Sequence, residues 1–317
     1  MEQSFEKSIA VAGHLVFDEI TFPDGNSTTA FGGISYNLAA LVAKVSVGKV
    51  YALCEIGADR RIEFDRAFGG CHVLDTSLIK STGKPNVVNR LVYDNAGRRR
   101  EWNSRVPEPL SLERIPGSAD GVLINFISGD DFRLEELERF RRQYRGLIYM
   151  DYHSLSLGRS PDGGRYYRRH PLWSEHIAAC DILQMNMAEL ESIFEQKIGI
   201  ESIPSACDSL HDSGPGTIII TMGERGAILS LNSGSKSYLI QGLSPPVIVD
   251  PTGCGDTLAA VAFHAYIVGD DILDAVVEGS RWAAAKAAFS GIHGFSDIDR
   301  FLARVPKPPD PVLFRVA

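Results

Sequence analysis

Between residues 247 and 268 the sequence passes through three regimes that together limit what the chain can build. Val247-Ile248-Val249 is a β-branched run and reads as a buried strand end. Asp250-Pro251-Thr252-Gly253-Cys254-Gly255 forbids a regular continuation, so a tight loop follows. Residues 257–268 are almost all apolar, which suits a helix covered on most of its surface. A glycine-rich loop opening such a helix presents backbone N–H groups at the positive end of the helix dipole, and that is an anion site. Asp256 stands at the same helix mouth. A bound phosphate repels a carboxylate, so its position calls for a use. Taking a proton from an attacking hydroxyl is the obvious one. A helix cap would account for Asp256 alone. It does not account for Asp250, Thr252, Gly253, Gly255 and Asp256 together.

Upstream, short apolar runs alternate with helical patterns. Residues 9–13, 121–125, 146–151, 181–186 and 216–221 read as strands. Residues 134–144 place Leu134, Leu137 and Phe140 on one helical face. Such alternation implies βαβ units and a mostly parallel sheet. Asp18 follows the first strand, at the end where open α/β sheets bind ligands. Gly32-Gly33 allows close backbone approach, and Asn37 lies in the first turn of the helix after it. Residues 84–103 read as a hairpin turning at 94–97. Asn186 ends a strand with Glu189 three residues on, which by itself reads as a capping box. The basic runs Arg98-Arg99-Arg100 and Arg165-Tyr166-Tyr167-Arg168-Arg169 read most simply as solvated faces. A net charge of −8 argues against a nucleic-acid partner. The five cysteines are scattered, so neither a zinc site nor a redox motif is expected. With no signal-peptide pattern and no apolar run of membrane-spanning length, a cytoplasmic protein without a membrane partner is expected.

The 250–256 stretch resembles the C-terminal signature of the ribokinase-like (PfkB) carbohydrate kinases, Asp-Thr-x-Gly-Ala-Gly-Asp. It departs from it at Pro251 and Cys254. Gly32-Gly33 followed by Asn37 looks like that family's substrate-side glycine motif. Asn186-x-x-Glu189 is similar to its Mg²⁺ and phosphate motif, and Thr221-x-Gly223-x-x-Gly226 to its nucleotide segment. The matches follow family order from residue 11 to about residue 302. The resemblance implies one ribokinase-like domain over residues 1–317, three-layer α/β/α, with a mostly parallel central sheet. A small β lid would form from segments near 18–31 and 84–103. It implies transfer of the γ-phosphate of MgATP to a hydroxymethyl group of a sugar or sugar derivative. A nucleoside kinase of the same fold is the alternative, and a non-catalytic sugar or nucleotide sensor a third reading.

The roles carried over are these. Asp256 would be the base, and the N–H groups of Gly253, Cys254 and Gly255 the anion hole. Asp18, Gly32, Gly33 and Asn37 would bind the acceptor, while Asn186, Glu189, Thr221, Gly223 and Gly226 would bind ATP. Glu189 would hold Mg²⁺ through water, and a monovalent cation, K⁺ in many members, would lie at Asp250 and Thr252. A homodimer through the lid is open. His153 stands where the family often has Asn, and is left out of the catalytic list. Ile34 follows the glycine pair where ribokinases proper tend to have Lys, which counts against ribose. No Walker A sequence occurs, which excludes a P-loop kinase.

Overall fold

The computed structural model describes residues 6–95, 99–232 and 236–316. Its main sheet runs in the order Val312–Val316, Lys236–Gln241, Gly226–Leu231, Thr217–Thr221, Ile182–Asn186, Leu147–Asp151, Gly121–Asn125, Ser8–Ala12, Lys49–Leu53, Leu74–Asp75. From Thr217–Thr221 to Leu74–Asp75 every pairing is parallel. The three pairings at the other end are antiparallel. A parallel strand in the middle of such a sheet is covered on both faces, and Gly121–Asn125 is buried at every position.

Alternate residues feed two separate cores. Ile9, Val11, Val50, Leu123 and Tyr149 pack on the side of helices Ser35–Lys44, Cys254–Val268 and Ile272–Lys286. Ala10, Val122, Ile124, Ile148 and Met150 pack on the side of Leu134–Gln143, Met187–Phe194 and Ile203–His211. The result is the expected three-layer α/β/α arrangement. No helix among the described residues is long and apolar enough to cross a membrane.

Beside the carboxyl edge of this sheet stands a second one, in the order Ser27–Gly33, Leu15–Thr21, Val87–Tyr93, Arg99–Asn103. The expected hairpin supplies two of its strands, though Ala96, Gly97 and Arg98 at the tip lie outside the described residues. The other pair begins at Leu15, before the expected lid segment near 18–31. Asp18 sits in the middle of Leu15–Thr21, which pairs antiparallel with Ser27–Gly33 and parallel with Val87–Tyr93.

The expected strand end at 247–249 is not formed. Val247, Ile248 and Val249 are 65%, 49% and 49% exposed. Pro245, Pro246 and Pro251 flank them and have no N–H to give a ladder. The N–H groups of Val249 and Asp250 instead both donate to the Ala287 carbonyl, at 2.7 and 3.1 Å. The helix that follows begins at Cys254 rather than 257, because Gly253 takes a left-handed conformation (φ 84°) and turns the chain into it.

Candidate active site

The start of helix Cys254–Val268 looks into a cavity of about 640 Å³ between the two sheets. Asp256 lines it, and two amide side chains fix its position. Asn125, the last residue of its strand, donates from Nδ2 to Asp256 Oδ1 at 2.6 Å and to Asn37 Oδ1 at 3.0 Å. Asn37 donates from its own Nδ2 to the Asp256 carbonyl at 2.9 Å. Asn37 and Asn125 are fully buried. Asn37 was expected among the acceptor ligands. Its amide is occupied by Asp256 and Asn125, so it stands behind the helix start rather than in the cavity.

Asp18 is 3% exposed and lines the lid side of the cavity. A Cβ on Gly32 would collide with the Asp18 carboxylate, so this glycine makes room for that side chain and does not itself line the cavity. Gly33 does line it, held at φ 59°, where a Cβ would strike the His14 carbonyl. On the loop, Pro251, Thr252, Gly253 and Gly255 face the cavity. The Cys254 N–H, expected in the anion hole, donates instead to the Pro251 carbonyl at 3.2 Å, and Cys254 lies against the neighbouring groove. Burial pushes its thiol up to about 11. Tyr93 of the lid reaches the loop, its hydroxyl 3.1 Å from Thr252 Oγ1.

That neighbouring groove, about 290 Å³, is lined by Thr221, Gly223, Gly226, Leu258, Ala283 and Ala287 among others. Gly223 and Gly226 hold φ 61° and 95°, conformations that bend the chain tightly between two strands. The segment picked out for nucleotide binding thus lies against the helix Ile272–Lys286, and Thr221 and Gly223 line both the groove and the main cavity.

Asn186 and Glu189 form a full capping box at the start of Met187–Phe194. The same two residues line the cavity, and Glu189 is 3% exposed. Nearby, burial raises the Asp151 carboxyl well above the usual range; His153 opposes this, while Glu189 and Asp256 add to it. Gln184 spans from Asp151 Oδ2 to the Gly255 carbonyl, at 3.0 and 3.1 Å. His153 adopts φ 26°, unusual for a side chain of its size, with Nδ1 3.5 Å from Glu189 Oε1. Burial alone would lower its pKa, but the Glu189 carboxylate outweighs that and raises it to about 9.

The far wall was not read from the sequence. Arg165 lies in a run that reads as a solvated face, yet its side chain is 2% exposed and pairs at 4.0 Å with Glu101, 8% exposed. Asn103 Oδ1 accepts from Arg165 and from Arg159, the latter at 3.0 Å, and Asn103 Nδ2 donates to Asn89. A two-stranded hairpin, Leu157–Arg159 with Arg165–Tyr167, brings these arginines against the lid. Its strands are too short and too charged to register as buried. The available signal was the pair of tyrosines between Arg165 and Arg168, directly after two glycines.

The beds of Asp250 and Lys286 bear on the expected monovalent cation. Asp250 Oδ1 accepts from the Thr252 N–H at 2.9 Å and Oδ2 from the Ser290 hydroxyl at 3.0 Å. Its carbonyl accepts from Lys286 Nζ at 3.2 Å. The chain's own ammonium thus stands at Asp250, one of the two residues expected to meet a monovalent cation.

A parallel α/β/α sheet with a lid of this kind at its carboxyl edge is the ribokinase-like architecture of small-molecule kinases. Residues 168–293 match the pfkB family carbohydrate kinase pattern. A nucleoside kinase of Methanothermobacter thermautotrophicus is 32% identical over 307 residues, covering 90% of each chain. A cytidine kinase of Thermococcus kodakarensis is 24% identical over 274 residues, 84% of this chain and 91% of its own. The structure of Arabidopsis thaliana ribokinase with ribose and ATP superposes with a TM-score of 0.72 at 19% identity, covering 94% and 99% of the two chains. The chain belongs to the pfkB family of carbohydrate kinases. It is an ATP-dependent kinase of the sugar and nucleoside class.

Proposed function

We propose that the acceptor is a nucleoside, phosphorylated on the hydroxymethyl group of its ribose. The observation that carries this reading is the far wall of the cavity, where Glu101 and Arg165 stand as a buried pair. Arg165 Nε has no hydrogen-bond partner among the described residues. A nucleobase edge sets N–H donors beside ring-nitrogen or carbonyl acceptors. A carboxylate next to a guanidinium complements such an edge, donor to acceptor on both sides. The similarity to a cytidine kinase and to a nucleoside kinase supports the same choice.

In this reading Asp18 and the backbone at Gly33 hold ribose hydroxyls and turn the hydroxymethyl group toward Asp256. Asp256 takes the hydroxyl proton as that oxygen attacks the terminal phosphorus. The bond from phosphorus to the bridging oxygen breaks, and ADP leaves. The N–H groups of Gly253 and Gly255 meet the charge on the transferring group, and positioning does most of the rest. Asn125 and Asn37 aim the base. The nucleotide lies in the groove between the Gly223–Arg225 turn and helix Ile272–Lys286.

The donor set fits Mg²⁺. No cluster of His, Cys, Asp and Glu that could hold a metal alone occurs among the described residues, and Mg²⁺ needs only one or two carboxylates beside phosphate and water. Glu189 and Asp151 would hold it through water. When bound, it supplies positive charge to the donor's phosphates.

Phosphate transfer from ATP across cytidine, uridine, adenosine, guanosine, inosine, ribose and fructose tests the acceptor. The best nucleoside should exceed either free sugar in kcat/KM by at least roughly 100-fold. Free ribose or fructose as the better acceptor would overturn the reading. Arg165→Lys keeps the charge and loses the planar fork, so it should raise the nucleoside KM roughly tenfold and leave the ATP KM alone.

A further inference from the structure

Lys286 is the last residue of helix Ile272–Lys286 and has no exposed surface. Its Nζ donates to the Asp250 carbonyl at 3.2 Å and to the Phe289 carbonyl at 3.0 Å. The rings of Tyr36 and Phe289 flank it, with centroids 5.4 and 5.0 Å from Nζ. Tyr36 is also the ring against which Gly253 packs so closely that a Cβ there would collide with it. The ammonium therefore sits in a closed chamber under the Asp250–Gly253 loop. It is tied to the loop's first carbonyl and backed by the aromatic ring that supports the loop's last residue. Asp250, fully buried, spends its carboxylate on the Thr252 N–H and the Ser290 hydroxyl, which close the same loop from the other side.

Carbonyl oxygens around a buried carboxylate are the surroundings in which proteins bind a bare monovalent cation, the oxygens replacing its hydration shell. Here two such carbonyls already receive an ammonium supplied by the chain. We propose that Lys286 is a tethered cation that holds the anion loop in place of a bound monovalent ion and frees phosphate transfer from any K⁺ requirement. Lys286 is a positioning residue: it acts through Asp250 and the loop and does not line the acceptor cavity. The sequence carried a trace of it, a single lysine inside Ala283-Ala284-Ala285-Lys286-Ala287-Ala288-Phe289, where an apolar residue would continue the pattern.

The test compares turnover in KCl, NH₄Cl, NaCl and tetramethylammonium chloride at constant ionic strength, for the parent chain and for Lys286→Met. The parent should turn over at the same rate in all four salts. Lys286→Met should lose at least roughly tenfold in kcat in tetramethylammonium, with K⁺ or NH₄⁺ restoring most of the loss, because either ion can enter the vacated chamber. A purely structural lysine would give a loss that no cation repairs. Stimulation of the parent by K⁺ over tetramethylammonium would overturn the proposal, as would a Lys286→Met protein that is fully active in every salt or unrepaired in every salt. If Lys286→Met does not fold, Lys286→Gln, which keeps a donor and drops the charge, is read in the same salts against the same outcomes.

Discussion

Asn125 gives one amide nitrogen to two acceptors, the carboxylate of Asp256 and the side chain of Asn37, so the aim of the proposed base depends on a residue with no acid–base chemistry of its own. Truncation there should misplace the carboxylate without emptying the binding sites. Asn125→Ala should lower kcat by roughly 10- to 100-fold while the KM values for acceptor and ATP stay within a few-fold, since an error of about an ångström suffices for such a loss. Steady-state kinetics with both substrates varied checks this, and an unchanged kcat would remove Asn125 from the machinery. Residues of this kind are hard to read from one sequence. Asp256, Gly253 and Glu189 stand in dense motifs in which several residue types must coincide. Asn125 is only the polar end of an apolar strand, and Arg165 sits in a run of charge that looks solvated. Their roles come from elements far off in sequence: Asp256 is 131 residues from Asn125, and Asn103 is 62 residues from Arg165.

At the level of elements, the lid meets the loop at residues 250–253 through Tyr93, whose ring stacks with Phe22 at a centroid distance of 6.1 Å while its hydroxyl meets Thr252. Tyr93→Phe keeps the stack and drops the hydrogen bond. The lid should then close less tightly on the acceptor, raising its KM by roughly threefold to tenfold, the worth of one hydrogen bond, with the ATP KM unchanged. Equal acceptor KM values in parent and variant would show that this contact does not govern closure. The lid also marks how far pattern reading carries. The hairpin at 84–103 was legible from its alternation and turn residues. The Leu15–Thr21 strand was not, because burial of the consecutive residues Leu15 to Asp18 and pairing with Val87–Tyr93 override its mixed composition. At 247–249 the error ran the other way: β-branched residues suggest a strand, but prolines on both sides remove the donors a ladder needs.

Across the whole molecule, the alternation of strands and helices was enough to anticipate the parallel sheet and its two covered faces. The crossing of chain segments at its carboxyl edge was not, because strand order is set by pairings that leave no local trace. That edge brings together a helix start near residue 254, a strand end at 125, a lid strand through 18 and a hairpin at 157–167. The central claim is that this convergence serves one proton transfer to Asp256. Asp256→Asn keeps the size of the side chain and an oxygen to accept from Asn125, so the fold and both binding sites should survive. Turnover with ATP and the best nucleoside, measured on folded Asp256→Asn protein, should fall by roughly 10²- to 10⁴-fold with both substrates still binding. Turnover within a few-fold of the parent would contradict the account.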